Sequence, residues 1–242
     1  MEVNLDKINL VIGIPHSAPV MYTKFSLNMF SIIRQLNADV VHFNPLFDYN
    51  YAVNNNASLP LNRNQLVYNS LKNSATHILF LDSDIIVKPE LIQKMLATNL
   101  PVVGLLCFTR NSEKPEPIIY KDGKIMDPFP EGIIEVDSTG TGCLLIKREV
   151  FAAIYDLQEF KAGGSRFFVY NEMWGPDLEC KKLGEDRSFC ALAKRAGFKI
   201  HVDTINTCEH LNPEGIGIKQ YREVRQKAYL PIVVPNTVAK VI

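Results

Sequence analysis

Ile8–Ile14 is a short, nearly continuous apolar run that stops at Pro15. Its length and β-branched content predict a buried parallel strand. Phe25, Met29, Ile32 and Leu36 then recur at the spacing of one helix face, which predicts an amphipathic helix over residues 22–36. Val40–Phe43 reads as a second strand, and the Asn-, Pro- and Tyr-rich stretch from Asn44 to Asn62 as a long loop of the kind that often carries function. A helix over 63–73 leads into the strand His77–Leu81. Pro89 opens another helix, with Ile92, Met95 and Leu96 on its buried side. Leu100–Leu106 and Cys143–Ile146 are further strand candidates. Between them, the Pro, Lys, Glu and Gly content of Phe108–Glu135 predicts short hairpins or a mobile excursion. Phe189, Leu192, Ala193 and Ala196 lie on one face of a helix that ends at Gly197, and Phe198–Val202 follows as a strand.

Strands and helices that alternate through short links predict an α/β sandwich with a mainly parallel central sheet. Residues 1–229 read as a single domain. The Pro- and Val-rich tail over 230–242 reads as extended, packing back on the domain or against a second copy in a homo-oligomer.

The chain has 242 residues, of which 47% are aliphatic, aromatic or sulfur-containing, enough for a sizeable core. Its 26 basic and 26 acidic residues cancel, so the charge balance points to neither nucleic acid nor anionic membrane as a partner. The first residues are acidic and the apolar run after them is short, unlike a secretory signal. No segment approaches the roughly 18 apolar residues that span a bilayer. The expectation is a soluble, cytoplasmic protein without a transmembrane segment. Five cysteines without a CxxC pair suit free thiols in a reducing compartment better than a disulfide framework.

The sharpest local feature is the apolar strand 77–81 running into Asp82-Ser83-Asp84. In open α/β sheets ligands bind beyond the carboxyl ends of strands. On an extended strand, spacing of two would put both carboxylates on one side. Such close acids repel unless a cation separates them, and their oxygens suit Mg²⁺ or Mn²⁺ bridging a diphosphate. The competing reading is a turn that caps the following helix. Downstream, Gly140-Thr141-Gly142 precedes a strand, where glycine allows close backbone approach, although a plain tight turn is the commoner use of such a sequence. Glu185 and Asp186 open an amphipathic helix, a place that also favours acids on purely structural grounds. His210, after the last strand, is a further candidate metal ligand.

Taken in order, Ile12-Gly13-Ile14-Pro15, Arg63-Asn64-Gln65-Leu66, LFLDSDIIV, STGTGCLLIKREVF, GEDRSFCALAKRAGFKIHVD and Cys208-Glu209-His210 resemble the GT-A-fold glycosyltransferases of the family-2-like type. These are found in bacteria, archaea and their viruses. The likeness runs from about residue 8 to 211. It implies a Rossmann-like nucleotide-diphospho-sugar transferase fold and a UDP-, GDP- or dTDP-sugar donor. It further implies a glycan, lipid-linked or protein acceptor. On the matching positions, Pro15 and His16 would lie at the donor's nucleoside, and Arg63 would face its diphosphate. Asp82, Ser83 and Asp84 match the DxD segment, and His210 matches a C-terminal histidine on the same Mn²⁺ or Mg²⁺. Residue 62 is Asn where the family more often has Ala. Asp186 corresponds to the catalytic base of inverting members, with Glu185 in reserve. Gly140, Thr141 and Gly142 would line the sugar and acceptor side. Trp174, the only tryptophan, is a candidate stacking platform or core residue.

Two rival enzyme classes also use paired acids. A haloacid-dehalogenase-like phosphatase would use Asp82 as nucleophile. Its motif normally stands near the N-terminus and needs a downstream lysine and acid cluster, which this sequence does not offer in order. A nucleotidyltransferase lacks here a clear basic or glycine-rich triphosphate loop. A domain that keeps the fold but only binds would be surprising with every one of these groups in place.

Overall fold

The computed structural model describes residues 8–15, 21–38, 42–47, 59–111, 113–157, 167–168, 184–211 and 217–228. His16, Trp174, the tail from residue 229 and most of the Asn44–Asn62 stretch lie outside the described residues. Along the chain run β1 (Asn9–Ile14), α1 (Thr23–Ala38), β2 (His42–Phe47), α2 (Leu59–Lys72) and β3 (His77–Leu81). Next come β4 (Ile85–Ile86), α3 (Pro89–Ala97), β5 (Val102–Leu106), β6 (Ile119–Lys121), β7 (Lys124–Ile125), β8 (Ile133–Val136) and β9 (Ser138–Thr139). The last are β10 (Cys143–Lys147), α4 (Arg148–Leu157), α5 (Glu185–Arg195), β11 (Ile200–Thr207), β12 (Glu209–His210) and α6 (Ile218–Ala228).

Seven strands form the central sheet in the order β2-β1-β3-β10-β5-β11-β8. β1 pairs in parallel with β2 and β3, and β5 with β11. β10 enters antiparallel between β3 and β5, and β8 closes the far edge antiparallel to β11. Five strands therefore share a direction, as the strand–helix alternation predicts. A small sheet, β7-β6-β9, orders much of the Phe108–Glu135 stretch into hairpins. Each face of the central sheet carries its own core, because alternate strand residues point to opposite sides. Leu10, Ile12, Ile14, Leu79 and Leu81 pack beneath Phe25, Met29 and Ile32 of α1 and Ile92 and Met95 of α3. Val11, Ile78, Phe80, Leu144 and Ile146 face the other way, against Leu66 and Val67 of α2, Phe151 of α4 and Phe189 of α5.

Several boundaries depart from the periodicity. α2 starts at Leu59, earlier than expected, because Pro60 sits in its first turn, where a missing N–H costs nothing. β11 continues to Thr207, beyond Val202, by pairing with β5 across a register shift. α4 and α6 had no sequence assignment. α4 follows β10 without an intervening loop, so no turn residue marks its start. Gly197 does adopt the left-handed backbone of a helix C′ residue, at φ +86°.

The cysteine reading requires correction. Cys107 and Cys208 form a disulfide across a sequence separation of 101. Parallel pairing of β5 with β11 brings their two ends side by side, a juxtaposition that cysteine spacing alone does not reveal. Cys143 and Cys190 are free and buried, and burial pushes both thiols up to about 12.

Phe80 is fully buried in the central strand and meets Phe168 edge to face, with centroids 5.1 Å apart. Phe80→Ala should lower the unfolding free energy by about 3–5 kcal/mol, read from urea unfolding curves of both proteins.

Candidate active site at the carboxyl edge of the sheet

The shared direction of β1, β3, β5 and β11 puts their carboxyl ends on one edge. Because β10 runs the other way, its start lies there too, with Cys143 opposite Leu81. Buried Pro15, the Asp82–Asp84 segment, Cys107–Arg110, Gly140–Gly142 and Cys208–His210 are therefore neighbours along one rim.

Asp82 to Asp84 is a tight turn, not a strand continuation. The Ile85 amide donates to the Asp82 carbonyl at 2.9 Å, and the Asp82 amide donates to the Gly142 carbonyl at 3.0 Å. The turn sends its two carboxylates to different partners. Asp82 receives the Arg63 guanidinium at 2.9 Å, and Arg63 also reaches Glu185 at 2.5 Å. Arg63 is only 2% exposed, so a buried guanidinium ties the half-buried acids at the end of β3 and the start of α5 together. Its expected place was at the donor's diphosphate. In this structure both of its terminal nitrogens are engaged by acids of the chain.

Asp84 is also buried, and it meets His210. The two-stranded pairing of β4 with β12 sets His210 opposite Ile85, and the Leu211 amide donates to the Asp84 carbonyl at 2.6 Å. The imidazole Nε2 lies 3.5 Å from Asp84 Oδ2. Nδ1 lies 2.8 Å from the Phe108 carbonyl, which can only accept, so Nδ1 carries the proton. Nε2 is then a lone pair, and it accepts from Arg110 Nε at 2.9 Å. The same guanidinium contacts Asp84 Oδ2 through its Nη2. Burial lowers the His210 pKa, partly opposed by the Phe108 hydrogen bond.

A divalent cation can be tested against this arrangement. An imidazole held by a backbone carbonyl with its other nitrogen facing a carboxylate is the usual posture of a metal-ligating histidine. Asp84 and His210 fit such an ion if substrate phosphates and water complete the coordination, as is common for Mg²⁺. Asp82 is turned toward Arg63 instead, and among the described residues no three His, Cys, Asp or Glu side chains gather as a metal-binding group. Ser83 occupies the turn between the two acids.

Asp186 stands at the first turn of α5. Burial raises its pKa, and the adjacent Glu185 raises it further, while the Arg187 amide and Arg63 pull it down. A Cβ placed on Gly140 would stand 3.7 Å from Asp186 Oδ2, so the glycine borders this carboxyl directly. Gly142 packs against Ile85, where a Cβ would come within 3.3 Å of its side chain. Thr141 between them is buried, and its hydroxyl has no hydrogen-bond partner among the described residues. The Gly140–Gly142 segment thus joins the Asp82–Asp84 turn to Asp186.

Two comparisons with known proteins bear on this site. The Anp1 family model, of mannosyltransferase-type glycosyltransferases, matches residues 49–123, a stretch that includes Arg63, the Asp82–Asp84 turn and Arg110. The match supports a glycosyltransferase. Among solved structures, A197 from STIV aligns at TM-score 0.51 with 15% identity, over 86% of this chain and 87% of that one. That likeness concerns the fold, which is mixed α/β with a mostly parallel central sheet. A glycosyltransferase involved in glycosylation of the major capsid of PBCV-1 aligns more loosely. Its TM-score is 0.38 and its identity 12%, over 90% of this chain and 99% of that one. No curated protein matches the sequence. Among the described residues, no helix is long and apolar enough to cross a membrane.

Sequence reasoning missed Arg110. Its one signal was its place just after the strand that ends at Leu106, on the same rim as the acids.

Two stability measurements test the site's electrostatics. Arg63→Ala strands two carboxylates around a buried gap and should cost about 3–5 kcal/mol in urea unfolding. For Asp186 the folded pKa lies above the unfolded value of 3.8. Proton binding there adds stability that is complete below the unfolded value and is lost as pH rises through the folded one. Asp186→Asn, which carries no charge, should therefore match the parent's melting temperature below about pH 4 and exceed it at neutral pH.

Proposed function

We propose that the chain transfers a sugar from a nucleoside-diphosphate sugar to an acceptor hydroxyl with inversion at the anomeric carbon, with Asp186 as base and Mn²⁺ or Mg²⁺ held by Asp84 and His210. The observation that carries the reading is a half-buried carboxyl of raised pKa sharing one sheet edge with a neutral imidazole–carboxylate pair. A base needs a pKa drawn toward the working pH, and that of Asp186 is shifted in that direction. When bound, the cation supplies positive charge against the departing diphosphate.

In this reaction Asp186 takes the proton of the acceptor hydroxyl as that oxygen bonds to the anomeric carbon. The bond from that carbon to the diphosphate oxygen breaks, and its electron pair leaves with the nucleoside diphosphate. Glu185, paired with Arg63, raises the Asp186 pKa as a neighbouring negative charge and so favours the proton there once transferred. The engagement of Asp82 by Arg63 argues against a phosphatase, because an ion-paired carboxylate is a poor nucleophile.

The test pairs transfer with binding. In a screen of UDP-, GDP- and dTDP-sugars, one donor should raise the melting temperature only when Mn²⁺ is present. Asp84→Ala should abolish that dependence. Asp186→Asn should keep it while transfer of labelled sugar falls at least about 100-fold. Near-normal turnover by either variant would overturn the assigned roles.

A further inference from the structure

Arg110 is not explained by the roles above. Its side chain is 60% exposed, yet its guanidinium reaches back to Asp84 Oδ2 and to the Nε2 lone pair of His210. Those are the two atoms that a divalent ion would use. Arg110 sits on a hairpin whose stem is closed by Phe108 opposite Pro117 and by the Thr109 amide donating to the Glu116 carbonyl at 2.9 Å. The Glu116 amide donates in turn to the Thr109 hydroxyl at 3.0 Å, and the Asn111 side chain accepts from the Glu113 and Lys114 amides. Through its carbonyl, Phe108 also holds the His210 ring. The hairpin therefore presents a charged group to a pair that it also orients.

We infer that Arg110 is the internal counter-ion of the cation site: it holds Asp84 and His210 in the empty protein, is displaced when a divalent ion binds, and then engages the donor's diphosphate. This rests on the reading of cation-assisted transfer given above. A guanidinium and a divalent ion cannot share one carboxylate oxygen and one lone pair, since both are cationic and both need the same electrons. Displacement is cheap on the arginine's side, because the guanidinium is largely solvated and the buried carboxylate it leaves is paired by the incoming ion. Once released, it would remain beside the residues that hold the ion, within reach of the donor's diphosphate. Its planar fork suits two phosphate oxygens.

The experiment titrates Mn²⁺ alone, followed by electron paramagnetic resonance of the free ion, into the full chain and its Arg110→Ala, Arg110→Gln and Asp84→Ala variants. Inorganic pyrophosphate is then titrated calorimetrically into the manganese-saturated proteins. Removing the guanidinium should tighten Mn²⁺ about three- to fivefold, the worth of an exposed ion pair, and should weaken pyrophosphate by a similar factor. The opposite signs separate this role from general damage to the site, which would weaken both. Unchanged or weaker Mn²⁺ binding by both Arg110 variants, or unchanged pyrophosphate binding, overturns the inference while the cation site stands. If Asp84→Ala binds Mn²⁺ as the parent does, the cation reading fails, and the inference fails with it.

Discussion

The rim of acids depends on one buried guanidinium. Arg63 lies between Asp82 and Glu185, so the residue just after a strand and the first residue of a helix far along the chain share a counter-ion. Burying such groups costs desolvation energy that only close pairing offsets. Arg63 satisfies two of the three acids there, and the third, Asp186, is left with a backbone amide and a like-charged neighbour. Burial first, and then that like-charged neighbour, raise its pKa. The pairing that stabilises the site therefore also selects which carboxyl can exchange a proton.

Topology brings these groups together. In a wholly parallel sheet the segment before β10 would lie at the opposite edge, and Gly140–Gly142 could not touch the Asp82–Asp84 turn. The antiparallel entry of β10 places that segment against the turn, with the Gly142 carbonyl taking the Asp82 amide. The pairing of β4 with β12 does the same for His210. Backbone hydrogen bonds fix both positions, so the imidazole and carboxylate approach one another without depending on long, flexible side chains. The Cys107–Cys208 disulfide lies directly beneath, joining the strand ends that carry Phe108 and His210.

On this rim, positive charge from the chain itself meets Asp82, Asp84 and Glu185. Arg63 takes Asp82 and Glu185, and Arg110 takes Asp84. The two cations differ in burial, at 2% and 60% side-chain exposure. A buried guanidinium cannot leave without stranding its partners, whereas an exposed one can be exchanged for another cation. That contrast divides the rim into a fixed part around Arg63 and an exchangeable part around Asp84 and His210.

Local pattern was enough to determine the main strands and helices, the α/β class and the strand end that carries Asp82 and Asp84. Apolar periodicity along Ile8–Ile14, His77–Leu81 and the helix beginning near Pro89 records burial directly. The acids, Gly140–Gly142 and His210 also stood out, since strand ends and helix starts can be read residue by residue. Only the tertiary structure decided their partners. That Arg63 pairs with acids, that Asp82 and Asp84 face apart across a turn, that Arg110 belongs to the site, and that Cys107 meets Cys208 all depend on groups distant in sequence. Spacing along a chain carries period and propensity. Electrostatic and covalent partnership depends on distances in space, and those are fixed only when β10 and β12 take their places against the strands beside them.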